Sequence, residues 1–198
     1  MVVRLFGITG KKQCGKSEAA KIFRRNNIPI INIDNLYLEM FRPGNSIHKE
    51  IILYFKDSFL LENGNIDFEN ISLAICKDEY IKKILDDTIE EEICLFMRNL
   101  INAFETYKID IVGIESGNII DTKISSYLSK IIIIDSNLQN RINRMKYKFD
   151  KQIIEKIIKM EEEKDWDYDF IIPNNKTIAE LIGETNKIIN KVILSFGD

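Results

Sequence analysis

The 198-residue chain has one histidine, one tryptophan, three prolines and three cysteines, and each scarcity removes some chemistry. No histidine-based zinc site can be assembled around one histidine, and His48 stands without triad partners in sequence, so it is expected to be a surface or structural residue. Cys14, Cys76 and Cys94 are odd in number and include no C-x-x-C pair, which argues against a disulfide framework or a redox pair. Cys76 and Cys94 are expected to be small buried hydrophobes. Long apolar runs are also missing. The most apolar stretch, Lys130 to Asp135 ("KIIIID"), is far too short to cross a bilayer, and the opening "MVVRLFGITG" lacks the layout of a secretion signal. The expectation is a cytosolic protein with no membrane partner. Nor is there an excess of positive charge: the formal net charge is -3, so nucleic acid held by counterion release is not expected. A small-molecule substrate is the expected partner, with the chain a monomer or small homo-oligomer.

What the chain does have is a globular balance, 45% hydrophobic and 30% charged, without repeats or low-complexity tracts. Short apolar, β-branched runs at Val2 to Ile8, Ile28 to Ile33, Ile109 to Glu115, Lys130 to Asp135 and Asp169 to Asn175 predict five strands, the second ending at Asp34. Helical periodicity is expected over residues 15–27, 36–41, 47–59, 68–107, 137–148, 151–164 and 178–193. The acidic run "DDTIEEE" is expected to be a solvated face. Alternating strands and helices imply parallel pairing, and apolar runs without alternation imply a sheet covered on both faces. The expected fold is therefore a three-layer α/β domain, a five-stranded parallel sheet with helices on both faces and a helical insertion over about 36–107.

Ligands in such sheets bind beyond the carboxyl ends of the strands, where Thr9, Asp34, Glu115 and Asn174 fall. There, between the first strand and the first helix, lies "GITGKKQCGKSE", residues 7–18. Gly10, four residues, then Gly15, Lys16 and Ser17 is the spacing of a loop that wraps a phosphate with inward-pointing N–H groups and a helix N-terminus. Residues Gly10, Lys11, Lys12, Gln13, Cys14, Gly15, Lys16, Ser17 and Glu18 are therefore expected to bind nucleotide, with Lys16 reaching the terminal phosphates and Ser17 ligating Mg²⁺. Cys14, beside Lys16 and a helix N-terminus, is expected to have a lowered thiol pKa and to be reactive. Position alone leaves Asp34 two roles, facing the terminal phosphate or capping a helix from Leu36. Glu115 ends the third strand, where an acid can hold Mg²⁺ or its water. Arg141 and Arg144 share a helix face and belong either to a lid over transferring phosphate or to a plain exposed surface. Trp166 is expected to be a packing residue.

These motifs together resemble dephospho-coenzyme A kinase, a family of phosphate-loop kinases. "GITGKKQCGKSEAA" resembles the family's opening loop, "IINIDNLYLEMFRPG" its second motif with an aspartate at fixed distance before Pro-Gly, and "ENGNID" its Gly-x-Leu-Asp turn. "VGIESGNIID" and "YDFIIPNN" resemble the third-strand and late asparagine motifs. Leu38 and Phe68 stand where the family has arginines, and Asp86-Asp87 replaces a His-Pro pair.

The resemblance implies an ATP- and Mg²⁺-dependent kinase acting on the ribose 3′-hydroxyl of dephospho-coenzyme A. It implies Lys16, Asp34, Arg141 and Arg144 as catalytic residues, Asp34 being the base, and Asn174 and Asn175 beside the adenine. Ser17 and Glu115 would hold the metal. One domain is expected, with residues 36–107 on the acceptor side and about 137–164 as a helical lid. A nucleoside or nucleotide kinase of the same architecture, or an inactive nucleotide-binding homologue, are the alternatives.

Overall fold

The computed structural model describes residues 2–162 and 166–196. Five strands form one sheet: β1 (Arg4–Thr9), β2 (Ile30–Asn32), β3 (Ile111–Glu115), β4 (Lys130–Asp135) and β5 (Phe170–Pro173). All pairings are parallel, in the order β2-β3-β1-β4-β5. The helices are α1 (Lys16–Arg25), α2 (Ile33–Met40), α3 (Ser46–Phe55), α4 (Phe68–Lys77), α5 (Glu79–Thr106), α6 (Leu138–Met145), α7 (Lys151–Glu162) and α8 (Ile178–Ser195). The predicted α/β architecture is present. Of the helix expected over 151–164, the last two residues lie outside the described residues.

The chain forms two compact bodies. One contains the residues up to Asn32 and those from Phe104 onward; the other runs from Ile33 to Ala103. In the first, Phe6, Ile8, Ile132, Ile134 and Ile172 pack on Ala19, Phe23, Leu181 and Ile189 from α1 and α8. Gly113 sits in register with Phe6 and Ile30, and a Cβ there would stand 2.7 Å from the Phe6 ring, so the missing side chain is what lets that ring lie against β3. On the opposite face, Ile119 and Leu128 close over Gly7. α8 starts at a capping box: Thr177 and Glu180 each accept the other's backbone N–H.

The second body has its own core of Met40, Ile47, Ile51, Phe59, Ile66, Ile71 and Leu85. His48 is buried in it, as a structural residue: the Gly44 N–H donates to Nδ1, so Nε2 carries the proton given to the Gly64 carbonyl at 2.9 Å.

Several expectations are corrected. The second strand stops at Asn32, so Asp34 lies in the first turn of α2, where a carboxylate faces the positive end of the helix dipole. The helix expected over 47–59 ends at Phe55 and gives way to a 3-10 turn, Lys56–Phe59. Cys76 is exposed and Cys94 half-buried, because the inward stripe of α4 runs through Ile71 and Ile75 and leaves Cys76 out of phase. Trp166 is half-buried.

Candidate active site

The loop from Gly10 to Ser17 joins β1 to α1 and owes its shape to two glycines with positive φ. Gly10 has φ 145, and a Cβ there would fall on the Ile134 carbonyl; Gly15, before the first turn of α1, has φ 107, and a Cβ there would strike the Asn174 amide. Gln13 takes φ 60, a left-handed conformation open to non-glycine residues at some cost. Lysine at 11 and 12 and glutamine at 13 are thus compatible with the turn.

The loop carbonyls are held by side chains from several elements. Lys16 Nζ donates to the carbonyls of Gly10 at 2.8 Å and Lys11 at 3.3 Å. Arg141 Nε donates to Lys12 O at 2.9 Å, and Arg144 donates to Gln13 O at 3.0 Å and Cys14 O at 3.2 Å. Asn174, buried at the end of β5, donates its amide to Cys14 O at 2.8 Å. Ser136 and Arg144 both donate to the Asn174 carbonyl. With carbonyls engaged by side chains, a loop that leads into a helix N-terminus can offer its remaining N–H groups to an anion, although the Lys12 N–H is given to Glu161 and the Cys14 N–H to the Lys11 carbonyl.

At the carboxyl end of β3, Glu115 is only 2% exposed, and it accepts a hydrogen bond from Ser17 Oγ at 2.7 Å. Arg24 approaches its other oxygen at 4.0 Å. A hydroxyl and a carboxylate, both hard oxygen donors, suit Mg²⁺, which takes one or two protein oxygens together with substrate phosphates and water. Among the described residues no group of three His, Cys, Asp or Glu side chains gathers to hold a metal by itself.

The predicted site residues are distributed as follows. Gly10 to Ser17, Glu115, Arg141, Arg144 and Asn174 meet in the first body. Asn175 is exposed and bonds the helix that follows β4: its side chain accepts the Asn137 N–H at 2.7 Å and its carbonyl the Asn140 amide at 2.9 Å. Beside it a cleft of about 210 Å³ is lined by Asn174, Asn175, Thr177 and Leu181. The Glu18 carboxylate turns to solvent and pairs with Lys21. The side chain of Lys12 lies over the Phe149 ring at 5.4 Å. Cys14 is corrected: its side chain is 1% exposed, and burial pushes the thiol up despite Lys16 nearby.

In the second body Tyr37, one turn after Asp34, is pushed up to about 12 by burial and by the charges of Asp34 and Glu90. The sequence reading missed Glu161, Ser136 and Arg24. Ser136 follows β4 directly, and that strand-end position was the available signal; Glu161 lies in a run of charged residues with nothing to single it out.

Comparison with known proteins identifies the family. The model of the dephospho-CoA kinase family, CoaE, matches residues 4–180. The chain belongs to the dephospho-CoA kinase family. It is accordingly a phosphotransferase acting on a hydroxyl group, and the activity of the family is ATP-dependent phosphorylation of dephospho-CoA. The dephospho-CoA kinase of Listeria monocytogenes is 20% identical over 195 residues, covering 96% of this chain and 98% of its own. Two solved structures share the fold. TT1252 from Thermus thermophilus is 18% identical with a TM-score of 0.78 over 96% of this chain and 98% of its own. A Campylobacter jejuni dephospho-CoA kinase is 20% identical with a TM-score of 0.63, over 95% and 96%. Among the described residues, no helix is long and apolar enough to cross a membrane.

Proposed function

We propose that this kinase binds the phosphates of ATP in the Gly10–Ser17 loop and transfers the γ-phosphoryl group to the ribose 3′-hydroxyl of dephospho-CoA. The observation that carries the donor half is the Ser17–Glu115 hydrogen bond: a loop hydroxyl and a strand-end carboxylate, 98 residues apart in sequence, are brought to 2.7 Å. N–H groups of the loop and of the start of α1 other than those of Lys12 and Cys14 bind the donor phosphates, while the Lys16 ammonium moves from loop carbonyls to phosphate oxygens and neutralises charge on the leaving side. Ser17 and Glu115 would hold Mg²⁺. When bound, the ion neutralises phosphate charge and fixes the geometry of in-line transfer.

Arg141 and Arg144 hold the carbonyls of Lys12, Gln13 and Cys14 and place two positive charges behind the bound phosphates. Asn174 fixes the loop from below, and the cleft beside Asn175 receives the adenine. Asp34 accepts the proton of the acceptor hydroxyl. Residues 36–107 serve the acceptor, and residues from about 137 to 164 act as the lid. Catalysis of this kind is mostly positioning and electrostatics, which is why so many of these side chains end on backbone groups.

The test is a coupled assay of ADP release with dephospho-CoA and with a panel of nucleosides and nucleoside monophosphates. Turnover of dephospho-CoA, with the panel at background, is the expected result. Turnover of a panel member with none of dephospho-CoA would overturn the acceptor assignment, and Asp34→Ala at wild-type kcat would overturn the assigned base.

A further inference from the structure

One residue that holds the phosphate loop is marked by neither the motif nor the spacing. Glu161, on the last turn of α7, accepts the Lys12 backbone N–H on Oε1 at 2.6 Å, and its Oε2 pairs with the Arg141 guanidinium. The same guanidinium donates Nε–H to the Lys12 carbonyl at 2.9 Å. The three residues close a ring in which both peptide groups of Lys12 are gripped by an oppositely charged pair. The Arg141 side chain in it is 6% exposed and that of Glu161 16%. In a pair so shielded from water, removing one partner is costly because it leaves the other charge buried and unpaired. Next to it lies a cavity of about 270 Å³ bounded by Lys11, Asp135, Asn137 and Ile158.

We propose that Glu161 is a positioning residue for the phosphate-transfer reaction. It acts through Arg141, setting the orientation of that guanidinium and of the Lys12 peptide, and it ties the end of α7 to the phosphate loop. The inference rests on the reading that this loop binds nucleotide phosphates. Without the carboxylate, Arg141 loses the partner that holds it against Lys12, and the loop loses the bond that sets the direction of the Lys12 N–H. Glutamine at this position separates the two effects. Its carbonyl still accepts from Lys12, but its amide, a donor, faces a guanidinium that has only donors.

The experiment is a double-mutant cycle on the full chain with E161Q, R141Q and the double variant. ATP affinity is read by calorimetry, kinetics by the coupled assay and folding by thermal unfolding. E161Q is expected to raise the dissociation constant and KM for ATP roughly tenfold, the factor for one charge-assisted hydrogen bond at the low end of its range. KM for dephospho-CoA is expected to stay within about twofold. In the R141Q background, E161Q is expected to add less than about twofold, because the residue it acts through is already gone. E161D, which keeps the charge one methylene shorter, is expected to recover part of the loss.

A full tenfold effect of E161Q in both backgrounds overturns action through Arg141. A lowered Tm with unchanged ATP affinity makes Glu161 merely structural and also overturns the proposal, as does wild-type behaviour of E161Q. Wild-type protein that fails to bind ATP overturns the nucleotide reading and this inference together, whereas wild-type binding with an unaffected E161Q overturns this inference alone.

Discussion

Replacing Glu115 by glutamine separates what the buried carboxylate does for the fold from what it does for the reaction. The side chain is 2% exposed, accepts from Ser17 at 2.7 Å and has one cation, Arg24, at 4.0 Å. That guanidinium is itself 43% exposed and already donates to the Ile30 carbonyl, so it compensates the buried charge only in part. Changing a charge-assisted hydrogen bond into a neutral one loses about 1–1.5 kcal/mol. Relieving a partly compensated buried charge returns a contribution of similar or larger size, since desolvating a carboxylate costs several kcal/mol. The two nearly cancel or leave a gain. Stability is therefore expected to fall by no more than about 1.5 kcal/mol, or roughly 3–6 °C in Tm for a chain of this length.

Activity has no such compensation. If the carboxylate orients metal-bound oxygens, its loss costs about 10–100-fold in kcat/KM for ATP, with a shifted requirement for Mg²⁺. The assays are thermal unfolding and ADP release over a Mg²⁺ titration. A Tm loss beyond about 10 °C together with wild-type kcat/KM at low Mg²⁺ would refute the reasoning, because Glu115 would then be a structural residue.

Gly113→Ala is expected to destabilise by about 1–3 kcal/mol through overpacking against the Phe6 ring, read as a lower urea midpoint; an unchanged midpoint would mean the ring has room to move. Thiol labelling followed by peptide mass spectrometry is expected to modify exposed Cys76 first and half-buried Cys94 next, and buried Cys14 only after unfolding; early labelling of Cys14 would contradict its burial. Cys14 and Tyr37 both have raised folded-state pKa values, so the stability they contribute is complete below the ordinary thiol and phenol values and is lost as pH rises. Urea midpoints are expected to decline from about pH 8.5 upward, with Tyr37→Phe removing the share lost between about pH 10 and 12; equal midpoints at pH 8 and 11 would contradict this.

The strands were legible because a doubly covered parallel sheet demands unbroken apolar runs, and "VVRLFGI" and "KIIIID" have few other uses. The loop was legible for a similar reason: few backbones need glycine at both Gly10 and Gly15. Asn174 was found as a motif position, but its work beneath Cys14 is a contact across 160 residues that no local pattern encodes. Strand order escaped for the same reason, since nothing in "IPIINI" says that its neighbour lies some 80 residues on rather than in β1. Asp34 was misplaced because the β-branched run before it reads as strand to its last residue, whereas the helix begins at Ile33. Cys14 was misjudged because the direction of a loop side chain follows from φ values, here the left-handed turn at Gln13, and not from its charged neighbours. Glu161 was invisible because only its place in space distinguishes it from the glutamates beside it.

The bond from Asn174 to the Cys14 carbonyl has a consequence for synthesis. A ribosome emits the phosphate loop 160 residues before the residue beneath it, and domains generally settle from the N-terminus as they emerge. Nucleotide retention should therefore switch on late and abruptly: ribosome-bound chains stalled before residue 174 should release ATP, and chains extended past α8 should keep it. Retention by the shorter chains would show that the loop holds its shape without that support. In this sense a late segment completes an early one, and a product that stops before Asn174 lacks the support beneath its phosphate loop.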